Sequence, residues 1–153
     1  MVLIDTGNRT KVIFEALHAT NLEAKKMTVH SDTSENFMGK EVQSQSYFPK
    51  MMGVDYHVAI VDHSTRSVVI TGLVSSGASI NSATHPRVII SPTASNGNGS
   101  HVASGTKFCS SVSIGNRLLT KTNATILSRI KVDDNDIADA RSLVTKDIEA
   151  GKF

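Results

Sequence analysis

The sequence predicts an α+β fold in which a mainly antiparallel β-sheet is followed by a C-terminal amphipathic helix at about 135–150. β-Branched residues are concentrated in short runs between polar turns, which is typical of strands. Acidic and amide residues precede a stretch with apolar residues at helical spacing, which is typical of a helix N-terminus. The 153 residues suit one domain over 1–153, and 39% hydrophobic residues suffice for a core.

The N-terminal third is interpreted as three strands, at 2–5, 10–18 and 26–31. β-Branched residues in the second and third segments favour strands, because such side chains fit a pleated surface better than a helix. An alternative stays open, since residues 11–17 could also begin a helix that extends to Lys26.

A central β-hairpin is predicted from two runs rich in valine and isoleucine, 56–61 and 67–74, on either side of the polar stretch 62–66. Glycine, serine and asparagine dominate 93–106, which predicts an exposed loop there. No internal repeat stands out. The remaining strands are predicted at 88–90, 107–114, 118–121 and 124–132.

The C-terminal helix is predicted from its start signals and its apolar face. Asp133, Asp134 and Asn135 are good N-cap candidates, and their charge opposes the positive end of a helix dipole. An apolar stripe follows at helical spacing, and we expect it to pack on a partner subunit in a homodimer. The expected interface residues are Ile137, Val144 and Ile148.

Charge is strongly partitioned although the formal net charge is only +2. Residues 63–132 contain seven bases and no acid, whereas residues 133–153 contain six acids and three bases. A block without carboxylates excludes paired-carboxylate chemistry within it and favours an anionic partner. If the strands pair as neighbours, five cations can share one sheet face and contact single-stranded RNA. The predicted RNA-binding residues are Lys107, Arg117, Lys121, Arg129 and Lys131.

One catalytic alternative comes from Asp5-Thr6-Gly7, which resembles the catalytic turn of retroviral-type aspartic proteases. Two such turns in a dimer would share a proton and activate water. The ordinary interpretation is a strand that runs into a glycine turn, because only four residues precede Asp5.

A metal site was the third possibility, since His85, His101 and Cys109, with His63 as a fourth ligand, are of types that bind zinc. Their spacing matches no zinc motif, so the sequence predicts no metal and no cofactor. No apolar run approaches the roughly 20 residues that span a bilayer, so we expect a soluble chain without a membrane partner.

The predicted order of elements resembles the coat proteins of single-stranded RNA bacteriophages: an opening strand and glycine turn, a central hairpin, a late strand pair and a final helix. The resemblance implies a self-assembling structural protein, not an enzyme, whose dimers enclose genomic RNA in a virion after synthesis in the host cytoplasm. A phage tail or decoration protein that binds no nucleic acid is the alternative within the same class.

Overall fold

The computed structural model describes residues 2–5, 19, 26–29, 36–37, 40–43 and 54–149. The chain divides into two compact units, Met1–Asn81 and Ser82–Phe153. The expectation of one domain over 1–153 stays a prediction. Within the described ranges, no helix is long and apolar enough to cross a membrane.

The first unit contains a sheet of six strands, in the order β3-β4-β2-β1-β5-β6. All neighbours pair in parallel except β3 and β4. The predicted strand at 2–5 is confirmed, and a strand lies within the predicted 26–31, whereas 10–18 lies outside the described residues. The strands are β1 Val2–Asp5, β2 Lys26–Val29, β3 Asn36–Phe37, β4 Lys40–Gln43, β5 Asp55–Val58 and β6 Ser79–Ile80.

The predicted central hairpin is wrong, because its second half is the helix α1, His63–Ser75. The Asp62 carboxylate caps the helix, accepting a hydrogen bond from Thr65 N–H at 2.8 Å. Strands β5 and β6 are parallel, and a parallel pair needs a crossover, which α1 supplies. Tertiary context thus overrides the β-propensity of the valines in 67–74.

The core of the first unit joins the central strands to one face of α1. Val2 and Ile4 of β1 pack with Tyr56 and Val58 of β5, and Ile70 comes from the helix. Each of these residues is at most 2% exposed. Strand β1 is nearly continuously apolar because it lies inside a parallel sheet, paired with β2 on one side and β5 on the other.

The second unit is a parallel β-solenoid, so the predicted antiparallel sheet is wrong. Its strands are two residues long, and successive strand positions lie six residues apart. Each strand pairs in parallel with one 18 residues later, as His101 does with Leu119. The strands are β7 Ala83–Thr84, β8 Ile89–Ile90, β9 His101–Val102, β10 Lys107–Phe108, β11 Ser113–Ile114, β12 Leu119–Thr120, β13 Thr125–Ile126, β14 Lys131–Val132, β15 Ile137–Ala138 and β16 Leu143–Val144.

These strands form three faces, and each coil contributes one strand position to every face. The first face is β7, β9, β12 and β15, and the second face is β8, β10, β13 and β16. The third face is β11 and β14, extended by a bridge between Ser95 and Ser113. The chain therefore does contain an internal repeat, a hexapeptide, contrary to the expectation from sequence.

In the hexapeptides between 101 and 138, the second strand residue and the residue four positions later are buried in the core. Phe108 and Val112 are each 1% exposed, and the next pair, Ile114 and Leu118, is 5% and 1% exposed. The spacings therefore alternate between four and two. Spacings of four imitate a helix and spacings of two imitate a strand, so short windows of this sequence mislead in both directions.

The turns between strands show the same period of six. Residues at one turn position adopt the left-handed backbone conformation, with φ from 58° to 74°, although most of them are not glycine. The repeated geometry turns the chain by the same amount at each corner. The residues are Gly99, Gly105, Ser111, Arg117, Asn123, Arg129, Asn135 and Arg141.

The predicted helix at 135–150 is wrong, because this segment forms β15, β16 and an isolated bridge at Ile148. Val144 and Ile148 are four residues apart because both are inward positions of one hexapeptide. The predicted exposed loop at 93–106 is wrong as well, since Ser100, Val102 and Thr106 are fully buried. Both errors come from applying a helix or loop pattern to a six-residue repeat.

Candidate functional site

The first unit offers a crevice at the carboxyl ends of its parallel strands. Strand β1 lies in the middle, with β2 and β4 on one side and β5 and β6 on the other. The chain therefore reverses its direction of winding between β1 and β5. Open α/β sheets bind ligands outside the carboxyl ends of the strands at such a switch point. The loop that follows β1, which includes Thr6 and Gly7, lies outside the described residues.

The N-terminus of α1 lies at this edge of the sheet and is occupied by its own cap. The Asp62 carboxylate accepts hydrogen bonds from the Ser64 hydroxyl at 2.6 Å and from Thr65 N–H at 2.8 Å. These bonds lower the pKa of Asp62 to about 2, and the bond from Ser64 has the largest effect. The anionic carboxylate opposes the binding of a second anion at the same helix end.

Arg66 supplies a buried positive charge just behind the carboxyl edge. Its guanidinium is 2% exposed, and Nη1 donates to the carbonyl oxygens of Ile60 and Val61 at 3.0 and 3.3 Å. The bonds tie the first turn of α1 to the segment that leaves β5.

His57 is the second buried titratable group of the first unit. Its Nδ1 lies 2.9 Å from the carbonyl oxygen of Asn81, and its side chain is fully buried. Burial lowers the pKa of His57 to about 4, so the ring is neutral at pH 7. Its place among sheet and helix makes it a structural residue.

The second unit distributes the five predicted RNA-binding cations over all three faces of the solenoid. Lys107 lies in the second face and Lys131 in the third, whereas Lys121 directly follows β12 of the first. Arg117 and Arg129 occupy turn positions with positive φ. The structure therefore does not bring these residues together on one sheet face.

Three of these cations pair with acids from the segment that was predicted to be a helix N-terminus. Arg117 Nη2 lies 3.2 Å from Asp134 Oδ2, and Lys121 pairs with Asp139 one coil later. The Lys131 ammonium lies 2.8 Å from Asp133, and that hydrogen bond raises the pKa of Lys131. The return of acids after residue 132 thus complements the preceding coil. Arg117 and Lys121 are separated from their acids by 17 and 18 residues, about one coil, and this separation was the signal that sequence analysis missed, whereas Lys131 and Asp133 are near neighbours in sequence.

A polar ladder runs along the turns that precede the first face. Asn98 N–H donates to Asn116 Oδ1 at 3.0 Å, and Asn116 N–H donates to Asp134 Oδ1 at 2.7 Å. Each side chain satisfies a backbone donor of the coil before it, which holds the coils in register. Because these groups satisfy one another, we interpret the ladder as structural.

The candidate zinc ligands are not gathered into a metal site. His101 lies in the first face and Cys109 follows β10 of the second. Nδ1 of His85 accepts a hydrogen bond from the backbone N–H of Arg87 at 3.0 Å. Across the described part of the chain, no three histidine, cysteine or acidic side chains are placed to hold a metal ion.

The predicted interface residues line an open cavity of about 550 Å³ at the C-terminal end of the solenoid. Val144 and Ile148 pack against the solenoid core, and Ile137 is half-buried in β15. Ser142 also lines the cavity, and its buried hydroxyl has no hydrogen-bond partner within the described residues. A role of these residues in subunit contact stays a prediction.

Three solved structures with the same architecture come from bacteria, and two of them are described as acetyltransferases. GDP-perosamine N-acetyltransferase from Caulobacter crescentus, a mutant in complex with CoA and GDP-perosamine, has a TM-score of 0.78 and 20% identity over 96% of this chain and 89% of that chain. The acetyltransferase domain of PglB from Neisseria gonorrhoeae, in complex with acetyl coenzyme A, has a TM-score of 0.66 and 17% identity over 98% and 93%. WeeI from Acinetobacter baumannii has a TM-score of 0.66 and 13% identity over 99% and 94%.

No protein-family model and no curated protein sequence matches the chain. The structural matches contradict the resemblance to phage coat proteins, and with it the capsid, the phage tail and the protease interpretations. The expected single-stranded RNA partner and virion location are likewise contradicted, because the matched structures are of bacterial proteins, and the ligands named for two of them are CoA with GDP-perosamine and acetyl coenzyme A. The expectation that the chain is not an enzyme is wrong on the same ground. The chain has the fold of hexapeptide-repeat acetyltransferases, a β-solenoid preceded by an α/β unit.

Proposed function

We propose that this protein is an acetyltransferase that moves the acetyl group of acetyl-CoA to the amine of a nucleotide-linked amino sugar. The supporting observation is that the similarity to the perosamine enzyme extends over 96% of the chain and so includes both units. A shared solenoid alone would be weak support, since one fold hosts many functions. The combination of a solenoid with this α/β sheet is more specific.

The sheet unit is the candidate binding site for the nucleotide part of the amino-sugar substrate, which accepts the acetyl group. Its switch point between β1 and β5 is where open α/β sheets bind nucleotides. The N-terminus of α1 is already neutralised by the Asp62 carboxylate. We therefore expect the diphosphate on the β1 side of the crevice rather than on α1.

The reaction needs an unprotonated amine. The ammonium form first loses one proton. The neutral amine nitrogen then attacks the thioester carbonyl carbon, the C–N bond forms, the C–S bond breaks, and the leaving CoA thiolate takes up the second proton, which the nitrogen loses as the amide forms. Neither described histidine of the solenoid is arranged as the base, because His101 is buried and Nδ1 of His85 already accepts a hydrogen bond. We therefore expect the amine to lose its proton to solvent before the attack.

The test is an acetyl-CoA assay with a panel of nucleoside diphosphate amino sugars, in which released CoA thiol and the acetylated product are both measured. We expect product only with an amino sugar, and not with the same sugar carrying a hydroxyl in place of the amine. The rate should rise with pH until the amine is fully unprotonated. A free nucleoside diphosphate should compete with the substrate.

Two outcomes would contradict the proposal. Thiol release without an acetylated sugar would indicate hydrolysis alone, and a lack of both signals with every amino sugar would exclude the transfer reaction. A bell-shaped dependence on pH, with a limb that His85→Gln removes, would instead assign the proton transfer to His85 and overturn the solvent route.

A further inference from the structure

The turns of the solenoid share a backbone hydrogen bond that Gly99 lacks. Turn residues with positive φ donate their N–H to a group about one coil earlier, as Arg117 does to the carbonyl oxygen of Asn98 at 2.8 Å. The residue at the same distance before Gly99 is Ile80, which lies in β6 of the sheet unit and not in a coil. Gly99 is buried, and a buried backbone donor is normally paired. Among the described residues, however, its N–H has no acceptor.

The Asn98 side chain, directly before Gly99, is likewise the first of a series. In the following coils, the side chains of Asn116 and Asp134 accept hydrogen bonds from the backbone N–H of the residue 18 positions earlier, at 3.0 and 2.7 Å. Asn98 has no earlier coil to join in this way. Its side chain is exposed, and within the described part of the chain no hydrogen bond holds its amide. An unrestrained amide therefore stands beside an uncommitted backbone N–H.

An asparagine amide and the backbone nitrogen that follows it can react with each other. The Gly99 nitrogen attacks Cγ of Asn98, the N–Cγ bond forms, the bond from Cγ to the amide nitrogen breaks, and ammonia leaves with the proton that Gly99 loses. Water then opens the cyclic imide. Its addition at Cγ gives aspartate, whereas addition at the backbone carbonyl carbon gives isoaspartate, in which the main chain runs through Cγ. Glycine favours the attack because it has no Cβ to hinder a close approach.

The neighbouring pair Asn96 and Gly97 has the same composition but a different backbone environment. The Gly97 N–H donates to the carbonyl oxygen of Ile114 at 3.0 Å, so the nitrogen that would attack Asn96 is engaged. A Cβ added at Gly97 would collide with the carbonyl oxygen of Gly115, which shows how closely the second coil packs on this backbone. Attack on Asn96 would have to break the hydrogen bond and leave the Ile114 oxygen unpaired.

We propose that Asn98 is a site of spontaneous deamidation in the folded protein, whereas the coil packed on Gly97 protects Asn96. Both backbone groups of Asn98 join the first coil to the second, since its N–H donates to Asn116 and its carbonyl oxygen accepts from Arg117. Isoaspartate lengthens the main chain at this residue and displaces these groups. The modification therefore loosens the first coil as the protein ages. It is independent of the acetyl transfer proposed above, because it needs only water.

The test is incubation of the intact protein at pH 8, followed over time by peptide mapping with mass spectrometry and chromatographic separation of aspartate from isoaspartate. We expect Asn98 to convert about fivefold or more faster than Asn96, the factor that one hydrogen bond supplies. In urea, where the hydrogen bond of Gly97 is lost, both asparagines should convert at similar rates. The aged protein should unfold at a lower temperature than the fresh protein.

Two variants complete the test. Asn98→Gln should keep its unfolding temperature during the incubation, because the longer side chain closes its ring far more slowly. Asn96→Gln is the matched control and should age as the wild-type protein does. Equal conversion of both asparagines in the folded protein, or conversion of Asn96 alone, would overturn the proposal. An Asn98 that stays intact while the sample in urea converts would overturn it as well, because the fold would then protect this residue. Circular dichroism of the fresh variants verifies that they fold.

Discussion

The two units bury their residues by different rules. In the first unit, β1 is covered by partners from distant parts of the sequence, and its core depends on a crossover helix. In the second unit, each coil packs on the coil 18 residues later, and the buried inward positions of 102–138 recur every six residues. A substitution in the solenoid therefore has a consequence set by its place in the hexapeptide, whereas one in the sheet unit depends on its own surroundings.

The largest effect is expected from a pair of adjacent residues at an inward and an outward position. Ile126 is fully buried and Leu127 is 38% exposed. Ile126→Ala should lower the free energy of unfolding by about 2–5 kcal/mol, because it opens a cavity in the core. Leu127→Ala should cost about 0.5 kcal/mol or less. Urea denaturation of both variants gives the comparison, and equal losses would contradict the hexapeptide register.

The next effect belongs to the sheet unit and depends on pH. His57 has a pKa of about 4 in the folded protein and about 6.5 when unfolded, so the unfolded chain takes up a proton first as the pH falls. Stability is full above pH 6.5 and decreases by about 3 kcal/mol as the pH falls to 4.

The control for this pH effect is His57→Gln, measured by urea denaturation at pH 7.5 and at pH 5. The wild-type protein should lose about 2 kcal/mol more than the variant over this interval. A loss of the same size in both proteins would assign the acid sensitivity to groups other than His57.

The smallest effects compare one glycine from each unit. A Cβ at Gly115 in the solenoid would lie 2.5 Å from Asp134 Oδ1 and 2.8 Å from the backbone carbon of Asp133, whereas a Cβ at Gly72 in α1 would meet nothing within 4 Å. Gly115→Ala should therefore destabilise by about 1–3 kcal/mol. Gly72→Ala should stabilise by about 1 kcal/mol through helix propensity. Changes of the same sign in thermal denaturation would refute this contrast.

Part of this fold was predictable from local patterns. The strand at Val2–Asp5 followed from its aliphatic run. Strands were also expected at 107–114, 118–121 and 124–132, but this region forms five two-residue strands separated by turns. The helix α1 was not predictable from propensity, because its valines and Ile70 favour strands and only its packing on the sheet selects a helix.

The hexapeptide was hidden because several inward positions are polar. Ser100, Thr106 and Thr120 stand at buried positions where an aliphatic residue is typical, and Asp136 is buried at the position four residues after a strand residue. The inward hydroxyls compensate by pairing, as Thr106 does with Thr120 at 3.0 Å. A search for period six with polar residues allowed would have found the repeat, whereas a search for purely apolar positions does not.

The candidate site shows the same limit. The acid-free block was visible in the sequence, but its meaning depended on which residues the coils bring together. Three of its cations pair with later acids, as Arg117 does with Asp134, whereas Lys107 and Arg129 are in none of the salt bridges among the described residues. The switch point between β1 and β5 could not be expected, because strand order depends on pairing between distant segments.

The most direct test of the functional account is an equilibrium titration of the intact protein with acetyl-CoA by calorimetry. We expect acetyl-CoA to bind saturably, with one site per chain and a dissociation constant between about 1 μM and 1 mM, the range in which enzymes bind their substrates. Heats that do not saturate, and that equal those of dilution up to millimolar acetyl-CoA, would contradict it.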